Sequence, residues 1–391
     1  MTKAVILGAR RTPQGKMMGS LASLSAVQLG VIASKAALED SKIKTSDVEY
    51  CLFGNVLQAG LGQNPARQVA IGSGLDWDTV SITTNKLCLS GSTSIIDAAR
   101  LIVSGEAEVV LAGGMESMTN APHLLMNSRK GHMYGDVKML DHMAEDGLSD
   151  AFDRISMGSS TQQYTDRHKE LTRQAQDQYA ALSHQRAAQA IANGLFSKEL
   201  APVEIIDRKG NASIVDVDEG VRADTTVDSL GKLRPAFSKD GTITAGNASQ
   251  ISDGAAAVVV ASEDYANKNG HEILATIEGY ATVAGPDNSL LSQPANALEK
   301  ALRKANLSTS ELKMIEINEA FASVALRSMS QLGASESMVN LHGGAISLGH
   351  PIGASGTRLS VHVIHQMVAG DKAAIALCGG GGQGDAILFS R

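Results

Sequence analysis

Cysteine is scarce in this chain: Cys51, Cys88 and Cys378 are the three among 391 residues. Three cannot build a disulfide framework, and their spacing matches no zinc site. That usage points to a reducing compartment, where a thiol stays free and reactive, and the expected location is the cytoplasm. Positive charge is short as well. With 34 Lys and Arg against 41 Asp and Glu the formal charge is −7, which argues against a nucleic-acid binder, since phosphate contacts need clustered cations. No stretch of aromatic residues set among Lys and Arg offsets that deficit. No run approaches the roughly 18 apolar residues of a membrane span. The opening "MTKAVILGARRTPQGKMMG" has an apolar core of a few residues and reads as a first strand rather than a signal peptide. The closing "LFSR" carries no targeting address.

What is present describes a soluble globular protein. Apolar residues make up 43% and charged residues 19%, and the length predicts two or three domains with large cores. Short β-branched runs alternate with amphipathic stretches. "KAVILGA" (3–9), "EVVLAGG" (108–114), "AAVVVAS" (256–262), "MIEIN" (314–318), "AAIALCGG" (373–380) and "DAILFS" (385–390) read as strands, near-continuously apolar as doubly covered strands are. Residues 26–40 read as a helix with Leu29, Ile32, Ala33 and Ala36 on one face. A second helix is expected after the cap Thr172, with Ala175, Tyr179, Leu182 and Ile191 on one face and a stop at Gly194. The alternation is an α/β pattern.

The segment 89–114 repeats as 354–379. Ser90 and Gly91 fall on Ser355 and Gly356, Gly105 on Gly370 and Gly114 on Gly379, at a constant offset of 265 residues. Each copy is Ser-Gly, a helix, a Gly stop, a buried strand and a Gly-rich exit. Two similar βαβ-rich halves packed together are therefore expected, with both helix entrances facing one site. The halves are 1–118 with 250–270, and 271–391. Between them 119–249 is loop-rich and reads as an insertion on the first half, of the kind that binds ligands.

Cys88 stands just before the first repeated helix, where free N–H groups and the helix dipole favour a thiolate. A buried small hydrophobe is the other reading. His350, between Gly349 and Pro351 in "GHPIGASG", lies on the matching entrance and has the fixed backbone a base needs. Cys378 opens "CGGGGQG", which contains G-x-G-x-x-G. No helix and no acid about twenty residues on follow it, so this is not a dinucleotide fingerprint. Bare glycine N–H groups can instead hold an oxyanion beside Cys378. Asn318 fits either a loop-held amide or a helix cap. His132, Asp136, Asp141 and His142 are spaced too irregularly for a metal and read as surface.

"NKLCLSG", "AGGMESM", "RPAF…DGTITAGNAS…SDGAAA", "NEAFA", "GGAISLGHPIGASG" and "ALCGGGGQG" stand in the order of the signature blocks of the thiolase family, which the chain resembles over essentially its whole length. Ala354 leans towards the biosynthetic branch. The resemblance implies a thiolase-like fold in a layered α/β/α arrangement with an inserted loop domain that binds coenzyme A. It implies reversible condensation of two acetyl-CoA to acetoacetyl-CoA and coenzyme A, without metal or other cofactor, and a homodimer or homotetramer. Cys88 would carry the acyl group and His350 would activate it. Asn318 would hold a water of one oxyanion hole with His350, and the N–H groups of Cys88 and Gly380 would form the other. Cys378 would be the acid/base. Leu148, Met157, Arg222, Phe237, Ala245, Ser249 and Phe321 would line the coenzyme A site. The chain departs from the family at Ser156, usually His, and at His342, usually Asn, and Ser156 would loosen the tunnel near the thioester. The alternatives are a broader 3-ketoacyl-CoA thiolase, a β-ketoacyl synthase, against which Cys378 speaks, or a thiolase-like lipid-binding protein.

Overall fold

The computed structural model describes residues 2–391. Its main sheet contains a four-strand pattern twice. Tyr50–Gly54 runs parallel to Val109–Ser117, followed by antiparallel Ser252–Ser262 and Ala4–Arg11. In the same order, Met314–Ile317 runs parallel to Lys372–Gly379, followed by antiparallel Gln383–Ser390 and Ala275–Ala284. The copies join where Ala4–Arg11 meets Ala275–Ala284, among the described residues through the two pairs Val5–Thr276 and Ile6–Ala275.

So thin a joint lets the halves fold over the two repeated helices, Ser90–Ser104 and Ser355–Gln366. One core joins Ile95, Ile96 and Ile102 of the first helix and Leu359, Val361 and Val363 of the second to strands of both halves. The outer face of the first half is covered by Ala26–Ser41 and Pro65–Gly72. Gln293–Ala305 and Ala322–Leu332 cover that of the second. The layers therefore run helix, sheet, helix, sheet, helix, which explains why the central strands carry apolar residues on both faces.

The window Leu87–Ser104, with mean hydropathy 1.3, is long and apolar enough on composition to pass for a membrane span, contrary to expectation, but 56% of it is buried within the protein. Its apolar character serves the shared middle layer, where a helix is covered on two sides. Residues 119–249 add two small hairpins, His123–Leu125 with Met139–Asp141 and Val203–Ile206 with Ala212–Val215. They also supply the helix Arg173–Ala192, capped by Thr172 as expected. Tyr179, Ala180 and Ala181 of this helix enter the core of the second half, so the segment expected on the first half packs on both. Its buried face also holds Gln176, Asp177, Ser183 and His184, which apolar periodicity does not reveal.

Candidate active site

The two repeated helix entrances meet because glycine lets them. A Cβ on Gly91 would lie 2.7 Å from Thr357 Oγ1, and one on Gly356 would lie 2.3 Å from Ser92 N. Any side chain at either position would force the helices apart. Cys88 lies two residues before the first residue of that helix, Ser90, in a tight turn whose Leu87 is left-handed, with φ of 53°. Ser90 braces that turn: its hydroxyl donates to Leu87 O at 2.6 Å and accepts from Lys86 N at 2.8 Å.

On the opposite entrance Ser355 does the corresponding work for His350. Its hydroxyl donates to Pro351 O at 3.0 Å and lies 2.5 Å from His350 Nδ1. A hydroxyl proton committed to the carbonyl leaves its oxygen to accept from Nδ1–H. The lone pair of His350 therefore sits on Nε2, which faces Cys88 Sγ at 3.2 Å. Asn318 Nδ2 lies 3.4 Å from the same nitrogen, and its buried Oδ1 has no protein partner. Asn318 follows the strand Met314–Ile317 and caps no helix, since Ala322–Leu332 begins after Phe321.

Burial lowers His350 to a pKa of about 3, helped by the positive charge of Arg358. Burial raises the Cys88 thiol to about 12, opposed by its own N–H and reinforced by Glu116. The expected helix-stabilised thiolate is therefore corrected: desolvation outweighs the helix end, and the pair rests as thiol and neutral imidazole. Such a pair can pass its proton during attack rather than before it. Glu116 is itself raised to about 7 by burial, although it accepts from Val56 N, Leu57 N, Gly353 N and Asn55 Nδ2. Those contacts clamp the Gly353 turn of the second half to the first.

Cys378 is the penultimate residue of the strand Lys372–Gly379 and has no exposed surface. Burial raises its pKa, and a charge on Cys88 raises it further, so the sulfurs sense each other across the site. The glycines after it turn directly into Gln383–Ser390, with Gly381 and Gly382 at positive φ, and no helix follows. Among the described residues, the N–H groups of Cys88 and Gly380 take no part in turn or loop hydrogen bonds.

A cleft of about 680 Å³ leads to His350 and is mostly apolar. Leu148, Met157, Phe237, Ala245, Ser249 and Phe321 all line it. Cys88 packs with Leu148 and Ile352 of its wall, and Cys378 with Phe321, Met157 and Phe237. Ser156 lines it too, but its hydroxyl caps the helix Met157–Thr165 through Ser159 N. Arg222 stands apart from the lining: it is exposed, with its guanidinium 3.2 Å from His184 Nε2. His142, expected on the surface, is buried with Nδ1 2.7 Å from Asp146, because the Met139–Asp141 strand folds it back under the Ala59 loop. His342 meets His362 at 3.1 Å.

Glu116, Arg358 and Asp385 support the site although none of them is named from the sequence, and Ser355 enters there only as a mark of the repeat. The available signal was a charged residue inside an otherwise apolar buried run, as in "DAILFS", which implies a partner.

A thiolase N-terminal domain model matches residues 4–264, and a thiolase C-terminal domain model matches 271–391. The chain is 53% identical over 391 residues to a probable acetyl-CoA acetyltransferase of Mycobacterium tuberculosis, covering 100% of this chain and 99% of that one. It is 45% identical to an acetyl-CoA acetyltransferase of Cupriavidus necator, covering 100% of both. A thiolase from Ascaris suum in complex with coenzyme A superposes with a TM-score of 0.94 at 36% identity, covering 100% of both chains. Human mitochondrial 3-ketoacyl-CoA thiolase gives 0.95 at 38%, covering 100% of this chain and 98% of that one.

Proposed function

The chain belongs to the thiolase family, and from that premise we propose that it condenses two acetyl-CoA reversibly to acetoacetyl-CoA and coenzyme A. The carrying observation is the 3.2 Å contact from Cys88 Sγ to the unprotonated Nε2 of His350. Support comes from the relatives named for acetyl-CoA acetyltransferase activity.

Cys88 Sγ attacks the first thioester carbonyl while its proton passes to His350 Nε2. The N–H groups of Cys88 and Gly380 take the developing oxyanion. The departing coenzyme A thiolate receives its proton from Cys378, which leaves an acetyl group on Cys88, an imidazolium and a Cys378 thiolate. The second acetyl-CoA places its thioester oxygen against His350 Nε2–H and a donor held by Asn318. Cys378 then removes the α-proton. Burial that raises a thiol's pKa makes the thiolate, once formed, a stronger base for so weak an acid. The enolate attacks acetyl-Cys88, whose sulfur leaves and recovers its proton from His350. Every proton is returned, so the cycle closes without a resident cofactor.

The pantetheine arm lies along Leu148, Met157, Phe237, Ala245, Ser249 and Phe321, with the nucleotide outside the cleft. A second reading, a broader 3-ketoacyl-CoA thiolase, is favoured by the short side chain of Ser156 on the cleft wall. Self-association as a dimer or tetramer is supported by the outer strand Val80–Thr84, with Val80 and Ile82 each 49% exposed, and by exposed Met133 and Tyr134 near the 123–141 hairpin. Light scattering tests it. A cytoplasmic location suits a mechanism that needs two reduced thiols.

Cleavage of acetoacetyl-CoA by coenzyme A tests the reaction, with turnover expected from the parent and none from Cys88→Ala. Turnover retained by Cys88→Ala would overturn it. A series of longer 3-ketoacyl-CoA substrates separates the two specificities.

A further inference from the structure

Asp385 is fully buried in the strand Gln383–Ser390, directly across from Leu377, the neighbour of Cys378. Its Oδ1 accepts from Lys86 Nζ at 2.7 Å, and its Oδ2 accepts from Ser92 Oγ and Thr93 Oγ1, each at 3.0 Å. All three donors belong to the nucleophile segment. Lys86 lies two residues before Cys88, and Ser92 and Thr93 lie in the first turn of its helix. One carboxylate from the second half thus grips the first half on both sides of the nucleophile.

Resting on the reading of Cys88 as acyl carrier and Cys378 as base, we infer that Asp385, through Lys86, is a positioning residue that fixes the distance between the nucleophile turn and the strand bearing the base. A buried ion pair is a poor way to gain stability, because desolvation offsets most of the attraction. Its directional strength lies in geometry: three donors on two oxygens triangulate one segment against the other. The turn needs holding, since Leu87 sits at positive φ. The contact between Cys88 and His350 is secured elsewhere, by Glu116 on Gly353 N and by the facing glycines 91 and 356. Loosening Asp385 therefore shifts Cys88 relative to Cys378 and Gly380 while leaving its base in reach.

The test uses Asp385→Asn, Lys86→Met, the two combined, and Lys86→Arg, each assayed for cleavage of acetoacetyl-CoA by coenzyme A. Alkylation of Cys88 by iodoacetamide and the thermal midpoint are measured alongside. In Asp385→Asn and Lys86→Met, kcat is expected to fall about 10–100-fold, as a displacement of up to about 1 Å between reacting groups costs. KM should stay within about 2-fold, because no cleft-lining residue changes. Cys88 alkylation should stay within about 3-fold, since its proton acceptor is untouched. Lys86→Arg should retain kcat within about 3-fold, because a guanidinium can still reach the carboxylate. The combined variant should be no worse than the poorer single one, as expected of a pair acting as a unit. If kcat in Asp385→Asn stays near the parent's while only the midpoint falls, the pair is merely structural and the inference is overturned. Parallel losses of kcat and alkylation overturn it too, as general loosening. A parent that cannot cleave acetoacetyl-CoA removes the functional reading itself, and the inference goes with it.

Discussion

Ser355 Oγ lies 2.5 Å from His350 Nδ1 and sends its own proton to Pro351 O. That arrangement selects which ring nitrogen faces Cys88, and it mirrors the bracing of the Cys88 turn by Ser90, 265 residues earlier in the repeat. Ser355→Ala removes the acceptor and frees the tautomer. Expected is a fall in kcat of about 2–12-fold, the worth of one neutral hydrogen bond of about 0.5–1.5 kcal/mol. KM should be unchanged. A raised KM with parental kcat would show that Ser355 shapes the cleft instead.

Cys88 should react with iodoacetamide before Cys51 and Cys378, because it is partly accessible and the other two are buried. Its pH profile carries more information. With the thiol pushed up to about 12, the thiolate fraction, and with it the alkylation rate, should climb through pH 6 to 10 without a plateau. A plateau near neutral pH would demonstrate a preformed thiolate–imidazolium pair and reverse the electrostatic account given above. Peptide mapping identifies the labelled cysteine at each pH.

Acid should destabilise the fold through its histidines. Burial lowers His184 and His342 to about 4 and His350 to about 3. Between an unfolded value of about 6.5 and these values the unfolded chain binds more protons, so stability falls as pH drops across that window. Glu116, raised to about 7, acts in the opposite sense between pH 7 and its unfolded value. His342→Asn isolates one contribution: its midpoint, relative to the parent's, should rise on going from pH 7 to pH 4.5. Parallel midpoint curves for the two proteins would remove His342 from the acid response.

Much of this was legible in the sequence because the chain states it twice. The repeat of Ser90–Gly91 as Ser355–Gly356 marks the two entrances, and the glycines explain themselves once the helices are seen to touch. Three things were not legible. The middle helices serve both sheets, and a helix buried on two sides looks like a membrane candidate on hydropathy alone. The helix Arg173–Ala192 also buries Ser183, whose hydroxyl donates to Glu319 beside that of Tyr179, a long-range pairing that periodicity cannot register. The Cys88 thiol follows local rules for a lowered pKa, yet it is raised, because desolvation depends on residues far away in the chain.

The two cysteines should separate by experiment. In the proposed mechanism Cys88 is the acyl carrier, so Cys88→Ala should take no acetyl group and form no carbon–carbon bond. Cys378 moves protons in the same proposed mechanism, while its neighbours Phe321 and Met157 line the cleft. Cys378→Ser should therefore still accept acetyl from a thioester at a measurable rate, visible as added mass on the Cys88 peptide. Condensation and thiolysis should fall by roughly 10²–10⁴-fold, the usual cost of a lost general acid/base. Deuterium exchange into the methyl of acetyl-CoA should fall with them, since a serine hydroxyl is a far weaker acid than a thiol and supplies no anion to take the α-proton. If exchange and condensation both survive in Cys378→Ser, the base lies elsewhere. His350 is then the next group to test, because its Nε2 already reaches Cys88 and Asn318.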